Sequence, residues 1–464
     1  MRYSDNERNS DSWSNQAPAG AEDSLPLDLL YQRINTPTMN YHLRGNFTYT
    51  EPVSKYAQVS LQYRFTYEYS ESDRRSYTQD DETGELALNT NLSNSNNSGY
   101  MTHRIGPGFR WAKDRNTIVA NLNYQWGTLD GKMIYPTAER IRHNYDIPTY
   151  FVMANIQFNR ENSIRMFLHS STNPPSITNL QSVYDLSNPL YLSKGDPDLS
   201  PSYNHTLRFH YVHSNLTKGR TFMWMFTLLT TQDYIATNVA YNPDPIEIDG
   251  VLYRPLQLST PVNMDGYWNL RTHLSYGFPL NFMKCNLNLM AGVNYSLIPS
   301  QINSQRNEAK NSLLLAAGKN RYFNHSANLS LKWTFWKGMT LTGSASYVQY
   351  KGFTTDYNDE YLLCNVYLGK KVFKNRRGEI QIGVNDLLNQ NRSFVRTTGS
   401  GWTQNATNSV IGRYYMVQFV YNLRHFGKRG SKNMSDYDST PKFEGGRRPM
   451  GPPPGGFHGG PGHR

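Results

Sequence analysis

The sequence of 464 residues holds no apolar run approaching the roughly 18 residues that a spanning helix needs. Its densest apolar cluster, Leu313 to Ala317, is far shorter, so a helical membrane protein is excluded. Cysteine is nearly absent. Cys285 and Cys364 are the only two, too few for a disulfide framework or a zinc site, and both fall on apolar faces as small hydrophobes without a redox role. Charge is scarce, at 18% of residues against roughly 25% in ordinary soluble domains. No Gly-x-Ser-x-Gly elbow, His-Glu-x-x-His pair or Walker loop occurs, so no catalytic residue, metal site or cofactor is expected. The start, MRYSDNERNSDSWSNQ, lacks a basic segment followed by an apolar one, and the expectation is that no export leader stands there.

Tyrosine, by contrast, is plentiful: 34 residues, within an aromatic share of 13%. Disorder predicts few aromatics, and a coiled coil needs far more Glu, Lys and Leu. A chain that is polar on average, poor in charge and rich in Tyr fits strands with one apolar and one polar, mostly uncharged face. That is the composition of a membrane β-barrel. Lys plus Arg outnumber Asp plus Glu by 47 to 36. The excess gathers in the last stretch and in short turns, not in a stripe that would grip nucleic acid.

Hydrophobicity alternates with period 2 through most of the chain. From Ala57 to Tyr69 one face reads Ala57, Val59, Leu61, Tyr63, Phe65, Tyr67, Tyr69 and the other Gln58, Ser60, Gln62, Arg64, Thr66, Glu68. The windows Ser326–Phe335 and Cys285–Tyr295 behave alike. The pattern predicts about 15 antiparallel strands, the first near residue 39, many of about 11 to 16 residues. Soluble strands run about 5 or 6, whereas a tilted bilayer crossing needs about 9 to 11.

The connections alternate in length. Short ones fall at 51–55, 112–115, 160–163, 215–219, 279–283, 336–338 and 374–378. Long ones are expected at 71–98, 128–147, 173–202, 238–263, 298–319 and 391–408, with 352–357 the exception. Tight periplasmic turns and long extracellular loops are the outer-membrane barrel arrangement, which a soluble sandwich would not enforce. Aromatic pairs near strand ends, such as Tyr124 with Trp126 and Trp333 with Phe335, suit interfacial girdles. Basic residues at the short turns, among them Lys113, Arg115 and Lys337, suit contact with anionic lipid headgroups of the outer membrane's inner leaflet and, equally well, plain solubility of an exposed rim. Three regions follow: a loop-like segment 1–38, a barrel 39–426, and a tail 427–464 of Gly, Pro and basic residues that cannot order itself, expected in the periplasm.

Three stretches carry a family resemblance. The first runs from Ser171–Pro175 and Ser176 through Asn188-Pro189-Leu190 to Gly195-Asp196-Pro197-Asp198-Leu199-Ser200-Pro201. The second is Gly383-Val384-Asn385-Asp386-Leu387-Leu388-Asn389. The third runs from Gly412-Arg413-Tyr414-Tyr415 to Asn422-Leu423. In order and spacing these resemble TonB-dependent outer-membrane receptors, closest to the group named outer membrane β-barrel proteins, although Asp196 replaces the usual Asn and Ser202 a common Glu. The resemblance implies the C-terminal portion of a barrel of about 22 strands. It further implies a plug domain inside the full receptor, a TonB-type energy transducer as partner, and uptake of a scarce nutrient across the outer membrane of a Gram-negative cell. A passive porin-like or structural barrel is the alternative.

Binding residues are expected in two places. Arg64, Arg208, His210, Arg271 and His273 lie on polar strand faces, and a charge facing lipid costs about 2–4 kcal/mol at mid-bilayer, so they should line the lumen. There they would hydrogen-bond the plug or guide an anionic substrate. Tyr184, Asp185, Asn188, Asp196 and Asp198 lie in a long loop and are candidates for substrate capture.

Overall fold

The computed structural model describes residues 2–16, 28–79, 84–186, 188, 190–241, 243–248, 251–303, 306–307, 312–313, 316–352, 358–373, 376–391, 393–399 and 402–421. Sixteen long strands make one meandering antiparallel sheet. They are β1 (Arg2–Gln16), β2 (Asp28–Ser54), β3 (Ala57–Gln79), β4 (Asn94–Lys113), β5 (Asn116–Tyr135), β6 (Glu139–Gln157), β7 (Asn162–Asn173) and β8 (Ser202–Asn215). The sheet continues with β9 (Arg220–Gln232), β10 (Tyr267–Leu280), β11 (Cys285–Asn303), β12 (Ala316–Phe335), β13 (Met339–Gly352), β14 (Asn358–Val372), β15 (Gly378–Asn385) and β16 (Tyr414–Tyr421). Each pairs with its successor in sequence. Among the described residues no helix is long and apolar enough to cross a membrane, and the crossing elements are strands.

Cross-strand register assigns every residue to one of two faces, because directly opposed residues share a side of the sheet. One face carries Leu61, Leu122, Leu274, Leu289, Leu329, Leu368 and Ile382, all exposed. The opposite face carries Gln125, Thr149, Thr206, Asn269, Ser296, Thr340 and Gln381, all buried. On adjacent strands, Leu122 is 60% exposed and Thr149 only 1%. A water-soluble protein has the reverse distribution. Lipid takes the apolar face, and the polar face turns to the lumen. Cys285 and Cys364 lie on the apolar face and are free thiols.

All seven expected short turns are present. Six of them expose a large apolar side chain: Tyr56, Phe158, Leu216, Phe282, Trp336 and Phe373. Lysines join them, with the ammonium groups of Lys55 and Lys113 5.4 and 5.5 Å from the Tyr56 ring centre and that of Lys337 5.7 Å from that of Trp336. This mixed apolar and basic rim suits the headgroup layer. Tight geometry explains the backbone there: Asp114, Lys284 and Lys337 take φ of 55°, 54° and 48°, the left-handed region that closes a sharp reversal.

Three expectations are corrected. Residues 1–38 are not a loop throughout: β1 and the first part of β2 lie there, with Arg2 opposite His42 and Gln16 opposite Asp28. The count is therefore sixteen. The long loops are also shorter than expected, since β3, β4, β5, β6, β11 and β12 all run into them. The connection expected over 128–147 shrinks to 136–138, and 391–408 contains the hairpin Ser393–Gly399 with Trp402–Asn408. The reason is the same in each case. Above the lipid no apolar face is required, so alternation fades while backbone pairing continues. The end of the last expected strand, 422–426, and the tail 427–464 lie outside the described residues.

The sheet has two open edges. Among the described residues β16 pairs only with β15, and β2 has no partner other than β3 along Leu43–Ser54.

The face assignment predicts an asymmetric response to charge. Leu289→Arg should destabilise the folded chain in lipid vesicles by about 2–4 kcal/mol. Asn288→Arg, one residue away on the lumenal face, should cost less than about 1 kcal/mol. Urea unfolding followed by Trp fluorescence reads both.

Candidate functional site

The loop between β7 and β8 folds back onto the sheet. Ser176 caps a single helical turn, α1 (Ile177–Leu180), its hydroxyl accepting the Asn179 N–H at 3.2 Å. Ile177, Leu180 and Leu199 bury themselves with Leu129, Met133 and Ile141, and Tyr100 and Tyr145 pack alongside. Gly131 makes this approach possible, since a Cβ there would stand 2.2 Å from Ile177 Cδ1. Tyr100, Leu129 and Tyr145 share the sheet face of Arg64 by register. The loop is therefore seated on the lumenal side, over the outer mouth.

The first family-like stretch is the fastening of this cap. Gly195 meets the α1 turn so closely that a Cβ would stand 2.5 Å from the Asn179 carbonyl oxygen, and the Asp196 N–H donates to that same oxygen at 2.7 Å. Leu192 enters a second small core with Leu92 and Leu186, against which Tyr184 and Leu258 pack. The short strands Tyr184–Asp185 and Gln257–Met264 flank Tyr191–Lys194 on either side.

Of the loop candidates, Asn188 and Asp196 act on their own backbone. Asn188 Oδ1 accepts the Leu190 N–H at 3.1 Å, and Asp196 Oδ1 accepts the Asp198 N–H at 2.9 Å. Tyr184 lies under the Lys194 ammonium at 5.1 Å, Asp185 stands opposite Ser193, and Asp198 is exposed. The second stretch is a turn as well. Asp386 is buried with φ of 54°, and its two carboxylate oxygens accept the N–H groups of Gln390 and Asn391, each at 2.9 Å. Its own N–H donates to Asn365 Oδ1 at 2.9 Å. These residue patterns are legible in sequence because backbone geometry demands them.

The lumenal wall is where the chemistry gathers. Register places Arg64, Arg208, His210, Arg271 and His273 on one face of the sheet, the polar one. Arg64 stands opposite Arg104, and the row from Phe167 continues through Arg208 and Thr227 to Arg271. The row from Arg165 passes through His210 and Met225 to His273. The five do not form one cluster: Arg64 lines a cavity of about 550 Å³, and the other four lie further round the wall. His210 Nε2 is buried without a hydrogen-bond partner.

That cavity brings Arg44, Arg104 and His169, none of them expected from the sequence as binding residues, together with Asn46, Gln62 and Asn121. Arg64 Nε donates to Asn46 Oδ1 at 2.8 Å, and Arg104 Nε to Gln125 Oε1 at 3.1 Å. Gln125 Nε2 passes the chain on to Thr172 at 3.0 Å. The signal was available. Arg44 alternates with His42, Asn46 and Thr48 just as Arg64 alternates with Gln62 and Thr66. Which arginines meet was invisible without the register. Among the described residues no three His, Cys, Asp or Glu side chains come together as metal ligands.

Residues 131–421, more than half of the chain, match the outer membrane protein beta-barrel family. The chain belongs to this family. No curated protein sequence matches it. Similar solved structures include the copper transporter OprC, with 12% identity, 90% of this chain and 61% of that one covered, and a TM-score of 0.48. The ferric citrate transporter FecA in its unliganded form has 8% identity, coverage of 90% and 59%, and a TM-score of 0.48. The hemophore receptor HasR of Serratia marcescens, in complex with its hemophore HasA and heme, has 12% identity, coverage of 89% and 66%, and a TM-score of 0.47. This family member thus spans about 60% of the length of the first two.

Two substitutions test the loop fastening. Gly195→Ala should release the cap from α1 and raise the rate of protease cleavage within residues 174–201 on intact cells. Asp386→Ala removes a buried carboxylate that accepts two N–H bonds, and should lower stability by about 3 kcal/mol or more, read from the urea midpoint.

Proposed function

We propose that this outer-membrane barrel protein is the barrel part of a TonB-dependent receptor that takes up a scarce nutrient. The supporting observation is the open sheet. Sixteen strands suffice for a closed porin with an aqueous channel, yet among the described residues β2 along Leu43–Ser54 and the outer side of β16 have no further partner. Unpaired backbone groups cannot face hydrocarbon, and in this reading further strands complete the wall. A barrel of about 22 strands is wide enough to need a plug. A plugged lumen lets nothing through until work is done on the plug, hence an energy transducer in the inner membrane. The inward-folded cap of residues 174–201 and the polar wall beneath it suit a ligand held at the outer mouth before transfer. Tyr184, Asp185 and Asp198 of that cap are the loop positions proposed to meet the ligand first.

The test is uptake in the native host. Growth on one limiting nutrient should require the gene for this chain, and uptake of that nutrient should fall to background when the proton-motive force is collapsed or the energy transducer is deleted. Uptake that continues unchanged under both treatments would replace this reading with a passive pore.

A further inference from the structure

We propose that the lumenal wall holds an oxyanion-binding site centred on Arg44, Arg64 and Arg104, for a solute that carries clustered phosphate, carboxylate or sulfate groups. It deepens the receptor reading, on which it rests only in calling that solute a substrate.

The three guanidinium groups face one cavity of about 550 Å³. Arg64 stands directly opposite Arg104 on the neighbouring strand, where two like charges repel. Arg44 stands one step along β2 from Asn46, the residue opposite Arg64, and so lies on the diagonal. The fixed partners described for them are amide oxygens: Asn46 for Arg64 and Gln125 for Arg104. Neither oxygen bears a charge to offset the guanidinium, and no carboxylate lines the cavity.

Carboxylates on the surrounding wall are few. Across β3 to β10 this face carries Glu68, whose Oε1 lies 3.4 Å from His42 Nδ1, and Glu139, which accepts the Ser182 hydroxyl at the outer rim. The same face carries Arg110, Arg165, Arg208 and Arg271 besides the cluster. Beyond β10 the wall is mostly amide and hydroxyl, with Asn286, Asn288 and Asn294 beside Asn324, Ser326 and Asn328, and its charges come in both signs: Lys332 lies 3.4 Å from Glu379, and Lys371 stands opposite the same Glu379. The field in this half of the lumen is positive, focused by low-dielectric walls.

Space and geometry suit a ligand. The lumenal positions next below Arg104 on β4 are Gly106 and Gly108. At Gly108 a Cβ would stand 2.5 Å from Asn121 Oδ1 and 2.9 Å from Gln62 Nε2. The absence of a side chain there leaves the floor to amide groups that donate and accept. At about 3.3 Å per residue and a tilt near 40°, the cluster stands roughly 20–25 Å above the short turns, in the outer part of the lumen. A guanidinium presents two parallel N–H donors, the spacing of two oxygens on one phosphate or carboxylate. Three of them in one cavity select an anion with several such groups.

Calorimetry on the full chain, purified from outer membranes in non-ionic detergent at low salt, decides the matter. Pyrophosphate and citrate are the probes and glucose the neutral control. The expected result is binding of at least one anion and none of glucose, with affinity falling about tenfold for each of Arg44→Gln, Arg64→Gln and Arg104→Gln. Arg104→Lys, which keeps the charge but not the fork, should lie between wild type and Arg104→Gln. Arg110→Gln, on the same face outside the cavity, should bind as wild type does. Heat-modifiable gel mobility confirms that each variant is folded. Silence with both anions overturns the site, as does a loss from Arg110→Gln equal to that from Arg104→Gln, which would mean diffuse charge. A rise in melting temperature for folded Arg104→Gln, without anion binding by wild type, also overturns it, since the arginines would then serve only as mutual strain. Failure here leaves energy-dependent uptake untouched, and failure of energy dependence leaves binding in detergent untouched.

Discussion

Backbone hydrogen bonding in a medium without water is the constraint on which everything else in this molecule rests. An N–H or C=O that faces hydrocarbon unpaired costs several kcal/mol, so each strand must find its neighbour along the whole membrane depth. Lateral pairing then dictates a sheet in which side chains have only two directions. Outward positions meet lipid and must be apolar; inward positions meet the lumen and are free to be polar. The period-2 sequence, the exposed Leu122 and the buried Thr149 are consequences of that single requirement.

Where the requirement ends, the design changes. Above the lipid the strands continue without alternation, and the loops acquire cores of their own. The cap over residues 174–201 is a miniature globular unit, with Leu180 and Leu192 fully buried and Gly195 admitting the close contact of two backbones. It resembles a soluble protein in its logic, apolar inside and polar outside, and it sits on a sheet organised the other way. The same division applies to the closing turn at Asp386, where a buried carboxylate finds its partners in two backbone N–H groups rather than in a cation.

The lumen joins these two regimes. Its wall is polar because lipid does not reach it, and its charges persist because water and protein groups solvate them. Putting Arg64 opposite Arg104 is unfavourable in itself, and a fold that only needed a filled lumen would have gained by placing an amide there, as it does on β11 and β12. Positive charge concentrated on β2 to β10, against a remaining wall where Lys332 and Lys371 are matched by Glu379, gives the lumen an electrical direction around its circumference.

Alternation alone determined the fold class, the shared polar face of Arg64, Arg208, His210, Arg271 and His273, and the seven short turns. It did so because a face in lipid leaves a mark at every second residue. The same rule missed β1 and over-lengthened the loops, because strands outside the bilayer carry no such mark. The motif from Ser176 to Pro201 was legible as a pattern, but its meaning was not. Only the tertiary structure turned Asn188 and Asp196 into turn-forming side chains and laid Leu199 beside Ile177. The meeting of Arg44, Arg64 and Arg104 was likewise decided by register. Arg64 stands opposite Arg104, 40 residues on, and diagonal to Arg44, 20 residues back, and nothing local in the sequence states which residue stands opposite which.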